Sequence, residues 1–256
     1  MEPLDAAKLA ESSIKIARHQ DDVLAALTSV VRDYFPLSES EYFSMELEGY
    51  RSLMLQAQSC LVKSNFVSRI VNSIKPTLED YLGTSDFLVQ SNLYLRASRP
   101  GMPKHYENID WHRESFYGPN LEKSVNIWTP ILGVSSKNSL RYIPKSHVIP
   151  DDQIITYNEG SSVTPRYSTG HKLGFNYDPK VIHSGVDLET AQTLVVPAKS
   201  SAIFSGNLIH GAAINLDSQI RFSTDFQVIR KADYSVNNKK FHFSSGKPYF
   251  TDIESH

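Results

Sequence analysis

At Gly83 the hydrophobic period of the chain changes, and with it the kind of structure the chain can build. Before it, Leu9, Ile14, Ile16, Val23, Leu24, Leu27, Val30 and Val31 recur at helical spacing, with an interruption at residues 19–22. Ser38 or Ser40, followed by acidic residues, predicts the cap of a second helix through Met45, Leu47, Leu53, Met54 and Leu61. Phe66, Ile70, Val71 and Ile74 continue the pattern, and Pro76 predicts the start of a further short helix closed by Gly83. Beyond Gly83 the apolar runs are short and bounded by Gly, Pro, Ser and Asn. They lie at residues 87–89, 93–95, 125–128, 140–143, 193–196 and 202–204, with a longer run at 220–229.

Helices followed by many short strands predict a mainly β fold with α: a double-stranded β-helix (a cupin-like jelly roll) with the N-terminal helices packed outside. The 256 residues suit one domain. Within 1–256 we expect a helical elaboration at 1–84, a jelly-roll core at 85–230 and a C-terminal extension at 231–256. The polar, turn-rich stretch 150–189 is too long for an ordinary connection and is expected as an insertion over the mouth of the roll.

Three residues in this frame carry metal chemistry. In an extended segment His112 and Glu114 face one side while Arg113 faces the other. His210 follows from a distant strand, Leu208-Ile209-His210-Gly211, where Gly211 lets backbones approach closely. Two imidazoles and one carboxylate leave three positions of a ferrous ion open for O₂ and substrate. Zinc accepts the same ligand types, so a zinc-dependent hydrolase is a second reading. Arg221, Ser223 and Asp225 share a face of the following strand. Arg221 either pairs with Asp225 or, with Ser223 adding a donor, grips the distal carboxylate of 2-oxoglutarate through its planar fork.

The stretch from about Leu88 to Ile229 resembles the phytanoyl-CoA dioxygenase-like branch of the Fe(II)/2-oxoglutarate oxygenases. The resemblance rests on Trp111-His112-Arg113-Glu114, residues 125–131 (Val-Asn-Ile-Trp-Thr-Pro-Ile), residues 140–147 (Leu-Arg-Tyr-Ile-Pro-Lys-Ser-His), and residues 205–211 with Asn215 and Arg221-Phe222-Ser223. It implies that His112, Glu114 and His210 bind iron and are catalytic, and that Arg221 holds 2-oxoglutarate. It implies that Trp128 lines the cosubstrate pocket, with Asn126 and Tyr94 as further pocket candidates. The implied reaction couples O₂ and 2-oxoglutarate to hydroxylation or another oxidation of a substrate. Family members usually carry Asp where this chain has Glu114, and Gly where it has Lys145.

Composition narrows the partners. The formal charge of −2 gives no reason to expect nucleic acid or an acidic membrane. No apolar run approaches the ~20 residues of a membrane span, and Met1-Glu2-Pro3-Leu4-Asp5 lacks the character of a signal peptide. The single cysteine, Cys60, suits a reducing compartment, so the cytoplasm is expected. A small, polar substrate is expected from Arg96, Arg99, Lys104, His105, Tyr106, Arg113, Tyr117 and Asn120, together with Arg166, Tyr167, His171 and Tyr177 in the insertion. Oligomeric state is open. A non-catalytic jelly-roll module that binds a small ligand is the rival from another class, since a fold does not fix a function.

Overall fold

A computed structural model describes residues 6–36, 38–102, 109–158, 168–174, 180–238 and 248–253, and in it the change of period at Gly83 becomes a change of layer. The N-terminal third holds α1 (Ala6–Glu11), β1 (Ile14–Arg18), α2 (Val23–Tyr34), α3 (Glu39–Phe43), α4 (Leu47–Lys63) and α5 (Phe66–Leu82). Gly83 ends α5 in the left-handed conformation, φ +69°, which costs glycine little. Strands then follow: β2 (Phe87–Gln90), β3 (Tyr94–Ser98), β4 (Val125–Leu132), β5 (Leu140–Tyr142), β6 (Ile155–Asn158), β7 (Lys180–Ser184), β8 (Gln192–Thr193), β9 (Ser200–Ser205), β10 (His210–Ala212), β11 (Arg221–Arg230) and β12 (Phe250–Thr251).

The larger sheet runs β1-β9-β4-β11-β2-β12, and β3 also pairs with β11. The smaller runs β10-β5-β8, and β6 with β7 forms a separate hairpin. All these pairs are antiparallel. β11 is the spine: β4 runs along one edge, while β3 and β2 share the other, β3 at Arg221–Asp225 and β2 at Val228–Arg230.

Alternation along these strands sorts side chains into two interiors. Val125, Ile127, Ile203, Phe222, Phe226 and Val228 turn outward and pack with Leu27, Val31, Tyr50, Met54, Ile70 and Ile74 of the helices. Ile14, Trp128, Ala202 and Phe204 turn inward and meet Leu140, Tyr142, Leu194 and Leu208. That second contact closes the two sheets face to face as a jelly roll, with helices outside, as the sequence predicts.

Three local expectations are corrected. Ile14–Arg18 is an edge strand on β9: its alternation puts Ile14 in the inner contact between the sheets and Ala17 in the core under the helices, where a helix would bury both on one side. The helix expected from Ser38 to Leu61 is two: Glu41 bonds back to the Ser38 backbone and hydroxyl at the start of α3, and α4 begins anew after Glu46. Pro76 lies inside α5 rather than opening a helix, and it sits on the exposed face, away from the core side of the helix.

The insertion contributes the β6–β7 hairpin, anchored where Ile154 and Ile182 pack on Ile143 and Ile209. It also contributes the short helix Thr169–Lys172, whose following Leu173 carbonyl accepts from Arg96 at 2.8 Å. Among the described residues no helix is long and apolar enough to cross a membrane.

Candidate metal centre

His112 and His210 are joined by their backbones, each N–H donating to the other's carbonyl at 2.9 Å. Glu114 N–H donates to the Gly206 carbonyl at 2.7 Å, so the 112–114 segment lies alongside 206–210. The expected regular strand is absent there: Glu114 opens a 3₁₀ turn, Glu114–Tyr117. Arg113 is nevertheless extended (φ −135°, ψ 157°), and that one residue provides the alternation. Its buried guanidinium points away and binds the carbonyls of Ser146 and Ile149 at 2.8 Å and the Asp151 carboxylate at 2.5 Å. Gly211 passes so close that a Cβ there would stand 3.2 Å from the Asp110 and Trp111 backbone.

The two imidazoles share one tautomer. His112 Nδ1 lies 2.7 Å from the Asp110 carbonyl and His210 Nδ1 2.9 Å from that of Leu208. A carbonyl only accepts, so each Nδ1 carries the proton and each Nε2 keeps its lone pair. Both Nε2 atoms stand 3.9 Å from Glu114 Oε1, and the ring centroids are 4.3 Å apart. One ligand atom from each residue falls within 4.8 Å of the others, and all three residues are buried.

Burial lowers His112 to about 4 and, with the neighbouring His112 ring adding to it, His210 to about 3. It raises Glu114 to about 7, with Asp225 adding to the rise, while Asn126, Gln227 and Arg96 oppose it. Two neutral imidazoles and a carboxylate short of positive charge fit a divalent cation. No other such cluster of His, Cys, Asp or Glu occurs among the described residues.

A polar wall continues from this centre along β11 and β3. Arg221 is buried opposite Ser98, and Ser223 opposite Arg96. Asp225 does not neutralise Arg221, as one reading of the sequence had it. Arg96 holds it through two bonds, Nε to Oδ1 at 2.7 Å and Nη2 to Oδ2 at 3.1 Å. The hydroxyls of Ser98 and Ser223 are both buried with no hydrogen-bond partner among the described residues. Ser98 was not singled out from the sequence. Its signal was the alternation Tyr94, Arg96, Ser98 on β3, legible only once that strand is registered against β11.

Of the other pocket candidates, Asn126 adjoins Glu114, and Tyr94 lies under the Arg96 guanidinium, 4.9 Å from the ring centroid. Trp128 is packed into the apolar contact between the sheets. Arg99, Arg113 and Asn120 of the expected polar lining are engaged instead by backbone carbonyls. Lys104, His105, Tyr106, Arg166, Tyr167 and Tyr177 lie outside the described residues.

No protein-family model matches the chain, and no curated protein matches it. Among solved structures the chain is similar to ThoJ, described as a non-heme monooxygenase, at 14% identity over 88% of this chain and 76% of that one, with a TM-score of 0.52. It is similar to AviO1 from Streptomyces viridochromogenes Tue57 at 13% identity over 92% and 99% of the two chains, with a TM-score of 0.51. The epimerase SnoN, solved with Fe3+, alpha ketoglutarate and nogalamycin RO, aligns at 13% identity over 88% and 82%, with a TM-score of 0.49. At these identities the shared property is the fold.

Proposed function

We propose that this chain is a non-heme iron, 2-oxoglutarate-dependent oxygenase of the phytanoyl-CoA dioxygenase-like type that hydroxylates a small polar metabolite in the cytoplasm. The observation that carries the reading is the convergence of His112, Glu114 and His210, with both Nδ1 atoms committed to carbonyls and both Nε2 atoms facing one carboxylate oxygen. The likeness in fold to a non-heme monooxygenase is consistent with it.

Iron bound there supplies O₂ activation coupled to oxidative decarboxylation of 2-oxoglutarate. The protein's part is positional. His112 and His210 offer neutral nitrogen, Glu114 offsets part of the metal's charge, and three ligands on one side leave the rest open. Glu114 also occupies the position that a halide would need. Arg221, Ser223 and Ser98 form the receiving end for the distal carboxylate, since a buried guanidinium and two buried hydroxyls match an anion that must leave water. Trp128 and Phe204 close the apolar side and exclude water.

Anaerobic titration of metal-free protein with Fe(II) and 2-oxoglutarate tests this. A weak visible charge-transfer band is expected only when both are present. In Arg221→Ala the 2-oxoglutarate concentration needed to develop it should rise by about 10–100-fold, the loss of one charge-assisted anchor. Bound metal without a band would favour zinc chemistry or simple ligand binding.

A further inference from the structure

Two backbone contacts, His112 with His210 and Glu114 with Gly206, lay the 112–114 segment beside 206–210. They fix how far apart the segments run but leave each free to roll about its own axis, and roll is what aims a side chain. Arg113 is extended and points away from its two neighbours, so whatever holds Arg113 also sets the direction of His112 and Glu114.

One residue braces both segments from behind. The Ser146 carbonyl accepts from Arg113 Nη2 at 2.8 Å, and the Ser146 hydroxyl accepts from the N–H of Ile209, the residue before His210, at 2.8 Å. That hydroxyl donates in turn to the Ile143 carbonyl at 2.8 Å, while Ile143 N–H donates to the Ile209 carbonyl at 2.9 Å. The Ile143–Ile209 pair, just past β5 and just before β10, is thus joined by one direct bond and by one that passes through Ser146. Ser146 is wholly buried, so water cannot replace its hydroxyl there. The turn is anchored in its own right: Lys145, left-handed at φ +60°, donates its N–H to Ser12 Oγ at 3.2 Å.

Charge does not explain the arginine. A buried guanidinium beside a divalent cation opposes it. What arginine offers is a rigid fork that reaches three acceptors at once, the carbonyls of Ser146 and Ile149 and the Asp151 carboxylate. On the metal reading of His112, Glu114 and His210, we infer that Arg113 and Ser146 are positioning residues: the 143–149 turn is a brace that sets the aim of all three ligands, Arg113 for the first two and the Ser146 hydroxyl for the third.

The test is Co(II) binding by the whole chain, read both as Kd and as the visible ligand-field band. The sign of the Arg113→Met effect is diagnostic. Loss of a repelling charge alone would tighten binding, and a merely structural role would lower Tm and leave Kd unmoved. Loss of positioning should instead raise Kd by about 10–100-fold, the usual range for a group that orients metal ligands. Ser146→Ala keeps the carbonyl that Arg113 uses but removes the bridging hydroxyl, so Ile209 is freed to shift. It should raise Kd by about tenfold and move the band. Ile182→Val, which thins the packing on Ile143 and Ile209 without touching either bond, should lower Tm and leave Kd and band unchanged.

A lowered or unaltered Kd in Arg113→Met, an unaltered Kd and band in Ser146→Ala, or an equal Kd loss in Ile182→Val would each overturn the inference. Should Arg113→Met fail to fold, the Ser146→Ala and Ile182→Val pair still decides. A wild-type chain that binds no Co(II) overturns the metal reading itself, and that result appears before any substitution is made.

Discussion

Neighbouring residues of β11 belong to different interiors. Phe222, Phe226 and Val228 meet the helices, while Arg221, Ser223, Asp225 and Gln227 share the opposite face with Tyr94, Arg96 and Ser98 of β3 and Asn126 of β4. The helix side is held by apolar area and close packing, which accept swaps of similar volume. The inward side is held by paired polar groups, where each loss leaves a buried partner exposed to a low dielectric. Stability and chemistry therefore run through alternate side chains of one strand, and the two should separate under substitution.

The largest separation is expected at the ligand end of the inward side. His210→Ala should abolish metal binding at this site and all turnover while the protein stays folded, because the backbone bonds between residues 210 and 112 do not need the ring. Circular dichroism and metal analysis on the same sample check it. Metal retained at this site would remove His210 from the ligand set.

The reverse case comes from the helix side. Phe226 is fully buried, and Phe226→Ala should cost about 3–5 kcal/mol of stability by denaturant unfolding of the metal-free chain. Metal affinity of the molecules that remain folded should not change. A Kd that moves in step with stability would mean that the two faces are one cooperative unit.

The two sides also differed in how far the sequence revealed them. The outward face was legible because alternation over ten residues of β11 repeats often enough to be read, and Gly83 marked the change of layer by its left-handed turn. The convergence of His112, Glu114 and His210 was legible because these are rare side chains in an ordered spacing. What escaped was set by register. Ser98 matters only when opposite Arg221, and Asp225 is claimed by Arg96 from β3 rather than by its strand neighbour. β1 was read as helix because five residues between two helices are too few to distinguish a period of two from one of 3.6.

The smallest effect, and the sharpest on the inward side, is the proton count of metal binding. In the metal-free protein Glu114 titrates at about 7, while His112 and His210 titrate at about 4 and 3. Below pH 7 a cation must displace the Glu114 proton, but it meets histidines that are already neutral. Affinity should thus be flat above about pH 7.5 and fall about tenfold per pH unit between roughly 6.5 and 5. Calorimetry of Co(II) binding at about pH 6, in two buffers of different ionisation enthalpy, should report about one proton released per metal. Histidines at their ordinary value of about 6.5 would each add a proton there, giving two or more, whereas a Glu114 at its ordinary value would give close to none. The same burial predicts the sign for folding of the metal-free chain. From the ordinary value of 4.5 up to about 7 the native Glu114 holds a proton that the unfolded chain has released, so its contribution to stability declines as pH rises through that window. Bound metal should cancel that decline, because it stabilises the ionised carboxylate that burial alone disfavours.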